Sequence, residues 1–97
     1  MVFMANVRAH IYVTGIVQGV WYRASAVEKG LELGDVAGWV KNLPDGRVEL
    51  VCEGPKESME KLIEWLWQGP ELARVADVLV QWEKPVGDLR QFSVRRQ

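Results

Sequence analysis

The residues best suited to chemistry in this chain are consecutive. Gly15-Ile16-Val17-Gln18-Gly19-Val20-Trp21-Tyr22-Arg23 joins a strand-like run to a helix-like run through a loop bracketed by glycines. A tight loop feeding a helix N-terminus leaves backbone N–H groups directed outward, which suits phosphate oxygens. Arg23, in the first helical turn, adds a planar, permanently charged fork. Gly15, Ile16, Val17, Gln18, Gly19, Val20 and Arg23 are therefore the candidate phosphate-binding residues. Gln18 can act as a ligand, but bracing the loop is the favoured reading. Trp21 either lines the entrance or is simply an exposed hydrophobe.

Other routes to catalysis have little support. His10 is the sole histidine and precedes the loop in a strand, where a core or sheet-surface role is expected rather than that of general base. No nucleophile-elbow motif accompanies Ser25, Ser58 or Ser93. One His, one Cys and no clustered carboxylates make a poor metal site. Cys52 lies in the apolar run Val48-Glu49-Leu50-Val51-Cys52 and reads as a small buried side chain. As the only cysteine it forms no intrachain disulfide, and a reducing cytosol is the expected setting.

Composition narrows the partners. The 97 residues read as one domain, with residues 1–6 a loose extension; 48% are hydrophobic and 26% charged. Twelve basic and thirteen acidic side chains leave a net charge of -1, which argues against broad attraction to nucleic acid or acidic membranes. The arginines Arg90, Arg95 and Arg96 read as solvated surface. Met1–Asn6 is too short for a secretory h-region, and no apolar run approaches the ~20 residues of a membrane span, so a cytoplasmic protein is expected. The oligomeric state is open, with a monomer favoured.

The elements that must position the loop follow from periodicity and turn residues. Val7–Gly15 reads as strand and Trp21–Leu33 as helix, with Val20, Ala24, Val27 and Leu31 as its apolar face and Gly34 as its end. Val36–Leu43 and Arg47–Glu53 form a hairpin about Pro44-Asp45-Gly46. Gly54-Pro55 opens a second helix with Met59, Leu62, Ile63 and Leu66 inward, and Gly69-Pro70 stops it. Arg74–Trp82 and a short Gln91–Arg95 complete the strands. Trp39 is a core candidate, and Lys41 points to the surface opposite Asn42.

The order β-α-β-β-α-β, plus a short terminal fifth strand, predicts an α+β ferredoxin-like sandwich: an antiparallel sheet covered on one face by two helices. In that topology strands one and two run the same way with strand three between them, so their carboxyl ends share one sheet edge, ~9.5 Å apart. Asn42, ending strand two, thereby falls near the anion loop. An RNA-recognition module shares this topology, but Arg47–Glu53 lacks its Lys/Arg-Gly-aromatic motif.

Two segments resemble the signatures of the acylphosphatases. Val13-x-Gly15-x-Val17-Gln18-Gly19-Val20-x-x-Arg23 is similar to the first, and Gly38-Trp39-Val40-Lys41-Asn42-Leu43-Pro44-Asp45-Gly46-Arg47-Val48, followed by Gly54, to the second. Gly69-Pro70, Ala73-Arg74-Val75 and Phe92-Ser93-Val94 extend the likeness to nearly the whole chain. The resemblance implies hydrolysis of the carboxyl–phosphate bond of acyl phosphates, without metal or cofactor. It implies Arg23 and Asn42 as catalytic residues and Gly15–Val20 as the phosphate cradle. The implied partner is a small-molecule acyl phosphate, with inorganic phosphate or sulfate competing. The alternative is a non-catalytic anion-binding or regulatory domain. Two departures from the pattern stand out. Tyr22 replaces the usual Phe or Met, so its hydroxyl needs a partner if buried. The connection Gly34–Gly38 is one residue longer than usual, which leaves Asn42 in place only if it is absorbed before Gly38.

Overall fold

The computed structural model describes residues 6–96. Its elements are β1 (Asn6–Ile16), α1 (Tyr22–Leu33), β2 (Ala37–Asn42), β3 (Val48–Pro55), α2 (Lys56–Gln68), β4 (Arg74–Glu83) and β5 (Ser93–Val94). Of the extension expected at residues 1–6, all but Asn6 lies outside the described residues. Asn6 is not loose: it pairs with Pro55 at the start of β1.

The sheet order is β4-β1-β3-β2-β5. β3 runs antiparallel to both β1 and β2, so β1 and β2 point the same way, as the sandwich topology requires. β5 adds in parallel beside β2, which makes the sheet mixed at that edge. The β2–β3 pairing runs from Ala37↔Glu53 to Asn42↔Val48 without a shift, so the length of the Gly34–Val36 connection is taken up before the strand. The expected hairpin closes through Leu43 N–H donating to the Arg47 carbonyl at 2.8 Å. Asp45 fixes the turn by accepting from the Arg47 backbone N–H at 3.1 Å and its Nε at 2.8 Å.

The core lies between the helices and one sheet face. Ala9, Ile11 and Val13 alternate inward from β1, Val48, Leu50 and Cys52 from β3, and Met59, Leu62 and Leu66 descend from α2. Burial pushes the Cys52 thiol up to about 12, so it stays protonated at neutral pH. β3 continues through Gly54-Pro55, and Pro55 caps α2 from outside rather than occupying its first turn.

Two expectations about side-chain direction are corrected. The buried stripe of α1 is Tyr22, Ala26 and Gly30, while Ala24 and Leu31 face solvent. The cause is close packing: a Cβ at Gly30 would lie 2.7 Å from the Phe92 ring, so the helix turns its small residues toward the sheet edge. Trp39 is not in the core. It is half-buried on the open sheet face, beneath Arg95 at 4.3 Å and Lys41 at 5.6 Å from its ring centre. Alternation along β2 makes this unavoidable once Gly38 and Val40 point inward.

Candidate active site

β1 delivers the loop with a defect in its pairing. Its register with β4 shifts between Thr14 and Gly15. At Gly15, φ is 133° and a Cβ would lie 2.1 Å from the Arg74 carbonyl oxygen, so only glycine lets the strands approach here. Ile16 still pairs with Arg74, and Val17 is then buried as the loop's anchor. Gly19 has φ 73° with open space around it, so backbone conformation alone demands glycine there.

Gln18 braces the loop, as favoured from sequence. Its Nε2 donates to the carbonyls of Leu43 at 2.8 Å and Arg47 at 2.9 Å. Those residues close the hairpin immediately after Asn42, so one side chain locks the loop to the strand end it must face.

The helix start is held equally firmly. Trp21, outside the first turn, has φ 68° and is the non-glycine residue with positive φ among the described residues. That conformation costs roughly 1–2 kcal/mol for a residue with a Cβ. Ser25 N–H donates to the Trp21 carbonyl at 3.0 Å, so the amides of Tyr22, Arg23 and Ala24 precede the intrahelical ladder. Tyr22 is buried and its hydroxyl donates to the Leu66 carbonyl at 2.6 Å, supplying the partner that its departure from Phe or Met requires. Burial pushes the phenol further above its ordinary value. Gly69 makes room for this ring: a Cβ there would lie 2.9 Å from it. The tie between α1 and the last turn of α2 thus sits one residue from Arg23.

Arg23 and Asn42 line one cavity of about 400 Å³, together with Val17, Gly19 and Trp21. Gly15, Ile16, Gln18 and Val20 are not in its lining. Arg23 is half-buried, and among the described residues no carboxylate lies within ion-pair distance of it. Asn42 Oδ1 is buried and has no hydrogen-bond partner among the described residues. A buried acceptor left in that state costs about 1–3 kcal/mol, so the amide is arranged for something other than stability.

Sequence reasoning missed Arg96 and Val94, which also line the cavity. Arg95 and Arg96 read alike as solvated surface, yet Arg95 lies over Trp39 on the open face while Arg96 faces the cavity. The signal was the alternation Val94-Arg95-Arg96, usable only once β5 is known to lie beside β2. His10 stays apart from all of this. It is on the open face, its Nε2 2.6 Å from a Glu49 carboxylate oxygen and its ring stacked on Tyr12. Among the described residues no group of His, Cys, Asp and Glu is placed to hold a metal ion, and no helix is long and apolar enough to cross a membrane.

The family model and the curated relatives agree in the comparison with known proteins. The acylphosphatase family model matches residues 9–94. An acylphosphatase from Methylococcus capsulatus is 54% identical over 89 residues, covering 92% of this chain and 96% of the relative. The structure of an acylphosphatase from Coxiella burnetii is similar at 44% identity and TM-score 0.86, over 93% of each chain. That of an acylphosphatase from Bacillus subtilis is similar at 32% identity and TM-score 0.87, over 92% of this chain and 98% of its own.

Proposed function

The chain belongs to the acylphosphatase family, and from that premise we propose how its residues hydrolyse the carboxyl–phosphate bond of an acyl phosphate. The observation that carries the reading is Asn42 Oδ1, a buried acceptor lining the same cavity as the Arg23 guanidinium, the one without a donor and the other without a carboxylate among the described residues.

The Arg23 fork binds two phosphoryl oxygens, with the backbone of the Gly15–Val20 loop cradling the group from the Val17 and Gly19 side. Asn42 Oδ1 accepts a hydrogen bond from a water, which leaves an oxygen lone pair directed at phosphorus. The water oxygen–phosphorus bond forms as the phosphorus–acyl oxygen bond breaks, and the carboxylate leaves with the electron pair. A proton of the attacking water passes to a phosphoryl oxygen, giving inorganic phosphate. The leaving carboxylate is weakly basic, so no side chain is needed to protonate it. Positioning and charge stabilisation supply the catalysis, and no phosphoenzyme forms. Inorganic phosphate or sulfate, binding the same fork, competes with substrate.

The test is hydrolysis of benzoyl phosphate by the purified protein, with Arg23→Ala and Asn42→Ala alongside. Turnover that collapses in both variants supports the reading. Phosphate binding without turnover by the parent protein would instead make the chain a non-catalytic anion-binding domain.

A further inference from the structure

The hydrolytic steps use Arg23, Asn42 and the loop backbone, but they give no role to the largest side chain at the cavity. Trp21 is 76% exposed, yet it lines the same space as Arg23 and Asn42. Other large hydrophobics are exposed too, but among the described residues Trp21 is the most exposed of them and is the one that lines this cavity. The ring is not part of the hydrophobic core, and among the described residues it makes no aromatic or cation–π pair. Its backbone adds a second oddity. With φ 68° and ψ 17°, this position is one where glycine would rest without strain. The chain nonetheless holds an indole there, between Gly19 and the buried Tyr22, with most of its surface in solvent.

What would cover the ring follows from the reaction. A substrate whose phosphoryl group sits on the Arg23 fork carries its acyl carbon just beyond the bridging oxygen, so the acyl group lies in the rest of the cavity. Besides the polar groups and Gly19, that space is lined by Val17, Trp21, Tyr22, Ala24 and Val94, of which Trp21 is the largest and is mostly exposed. We propose that Trp21 forms an acyl subsite that selects acyl phosphates with an aromatic or broad apolar acyl group, an inference that rests on the acyl phosphate reading above. A flat acyl group covers the indole face and removes apolar area on both partners from water, whereas an acetyl group is too small to do so.

The experiment measures kcat/KM for benzoyl phosphate and acetyl phosphate with the parent protein, Trp21→Gly, Trp21→Phe and, as a control, Trp67→Ala. Trp67 is an exposed tryptophan on α2 outside the cavity lining. Glycine relaxes the backbone at position 21, so Trp21→Gly melts at or above the parent temperature and a change in preference is not a folding defect. The benzoyl-to-acetyl ratio falls roughly tenfold in Trp21→Gly, is largely kept in Trp21→Phe, and is unchanged in Trp67→Ala. A ratio in Trp21→Gly within about twofold of the parent value overturns the subsite, even if both activities fall together. A drop in the ratio of the same size in Trp67→Ala overturns it as well. If the parent hydrolyses neither compound, the acyl phosphate reading fails and takes the subsite with it. Hydrolysis of both with an unmoved ratio removes the subsite alone.

Discussion

Arg8 and Arg23 bear the same guanidinium on the two sides of one sheet, in opposite circumstances. Arg8 Nη1 bonds Glu53 at 2.7 Å and Asp88 at 3.0 Å, while its Nε reaches Glu83 at 3.3 Å. Glu53 in turn accepts from the backbone N–H groups of Val86 and Gly87. These bonds strap the segment after β4 across the open face. His10, Lys41 and Glu49 make a similar closed set nearby. On the helix side Arg23 has no such partner among the described residues, and neither does the amide oxygen of Asn42. One face spends its charges on holding the chain. At the cavity rim the donor and the acceptor keep their bonding capacity for a ligand, and the chain bears the cost of an unsatisfied buried acceptor.

The contrast predicts that the two faces separate in mutagenesis, with activity lost on one side and stability on the other. Arg23→Ala removes two charge-assisted hydrogen bonds at about 1.5–3 kcal/mol each, so kcat/KM falls roughly 10²–10⁴-fold while the melting temperature holds. Arg23→Lys, which keeps the charge but not the fork, still weakens inhibition by inorganic phosphate roughly ten- to hundredfold. Equal inhibition of parent and Arg23→Lys would erase the distinction between the two arginines. Glu53→Ala runs the other way. It removes the shortest of the three carboxylate contacts of Arg8, leaving Asp88 and Glu83, and takes the acceptor from the Val86 and Gly87 amides, so unfolding stability falls by about 1–2 kcal/mol in urea titrations, with kcat little changed.

The same carboxylate sets an acid limb. Burial opposes its ionisation, but the Arg8 guanidinium and the two backbone donors outweigh burial and hold Glu53 below its ordinary value of 4.5. Its contribution to stability is therefore complete above that value and is lost as pH falls through the lower folded one. Melting temperature should drop less steeply with acidification in Glu53→Gln than in the parent; parallel curves would show that the strap does not depend on this charge.

Asn42→Ala tests the rim from its second side. One oriented hydrogen bond to the water is worth about a hundredfold in kcat, with phosphate inhibition nearly intact and stability unchanged or slightly higher, because the orphan acceptor is gone. Full turnover in Asn42→Ala would break the comparison at its weakest joint. The smallest effect belongs to the tie beneath the rim. Tyr22→Phe leaves the Leu66 carbonyl without its donor and lowers stability by about 1 kcal/mol, read as a lower denaturation midpoint at constant slope.

Much of this was legible in the chain because it depends on local rules. The Pro44-Asp45-Gly46 turn, the glycines on either side of the loop and the Met59/Leu62/Leu66 stripe each follow from φ/ψ limits or periodicity within a few residues. Asn42 could be set near the loop from strand order alone, since parallel strands flanking a third must end on the same edge. The errors share a different origin. The face of α1 turned on how closely Phe92 approaches Gly30, across sixty-two positions of sequence. Trp39 was misassigned because an aromatic inside a strand was weighed by its type rather than by the parity that Gly38 and Val40 impose. Arg96 was invisible until β5 paired with β2.

The amino-acid order thus determined the loop, the hairpin, the order of the elements and which functional groups were available, because turn conformation and side-chain periodicity act over a handful of bonds. Tertiary structure alone decided which polar groups would be left without a protein partner. Pairing is a question of distance between residues far apart in the chain: Arg8 meets a carboxylate forty-five positions away, whereas Arg23 meets none among the described residues. No local rule records that difference, and the whole division of labour between the two faces rests on it.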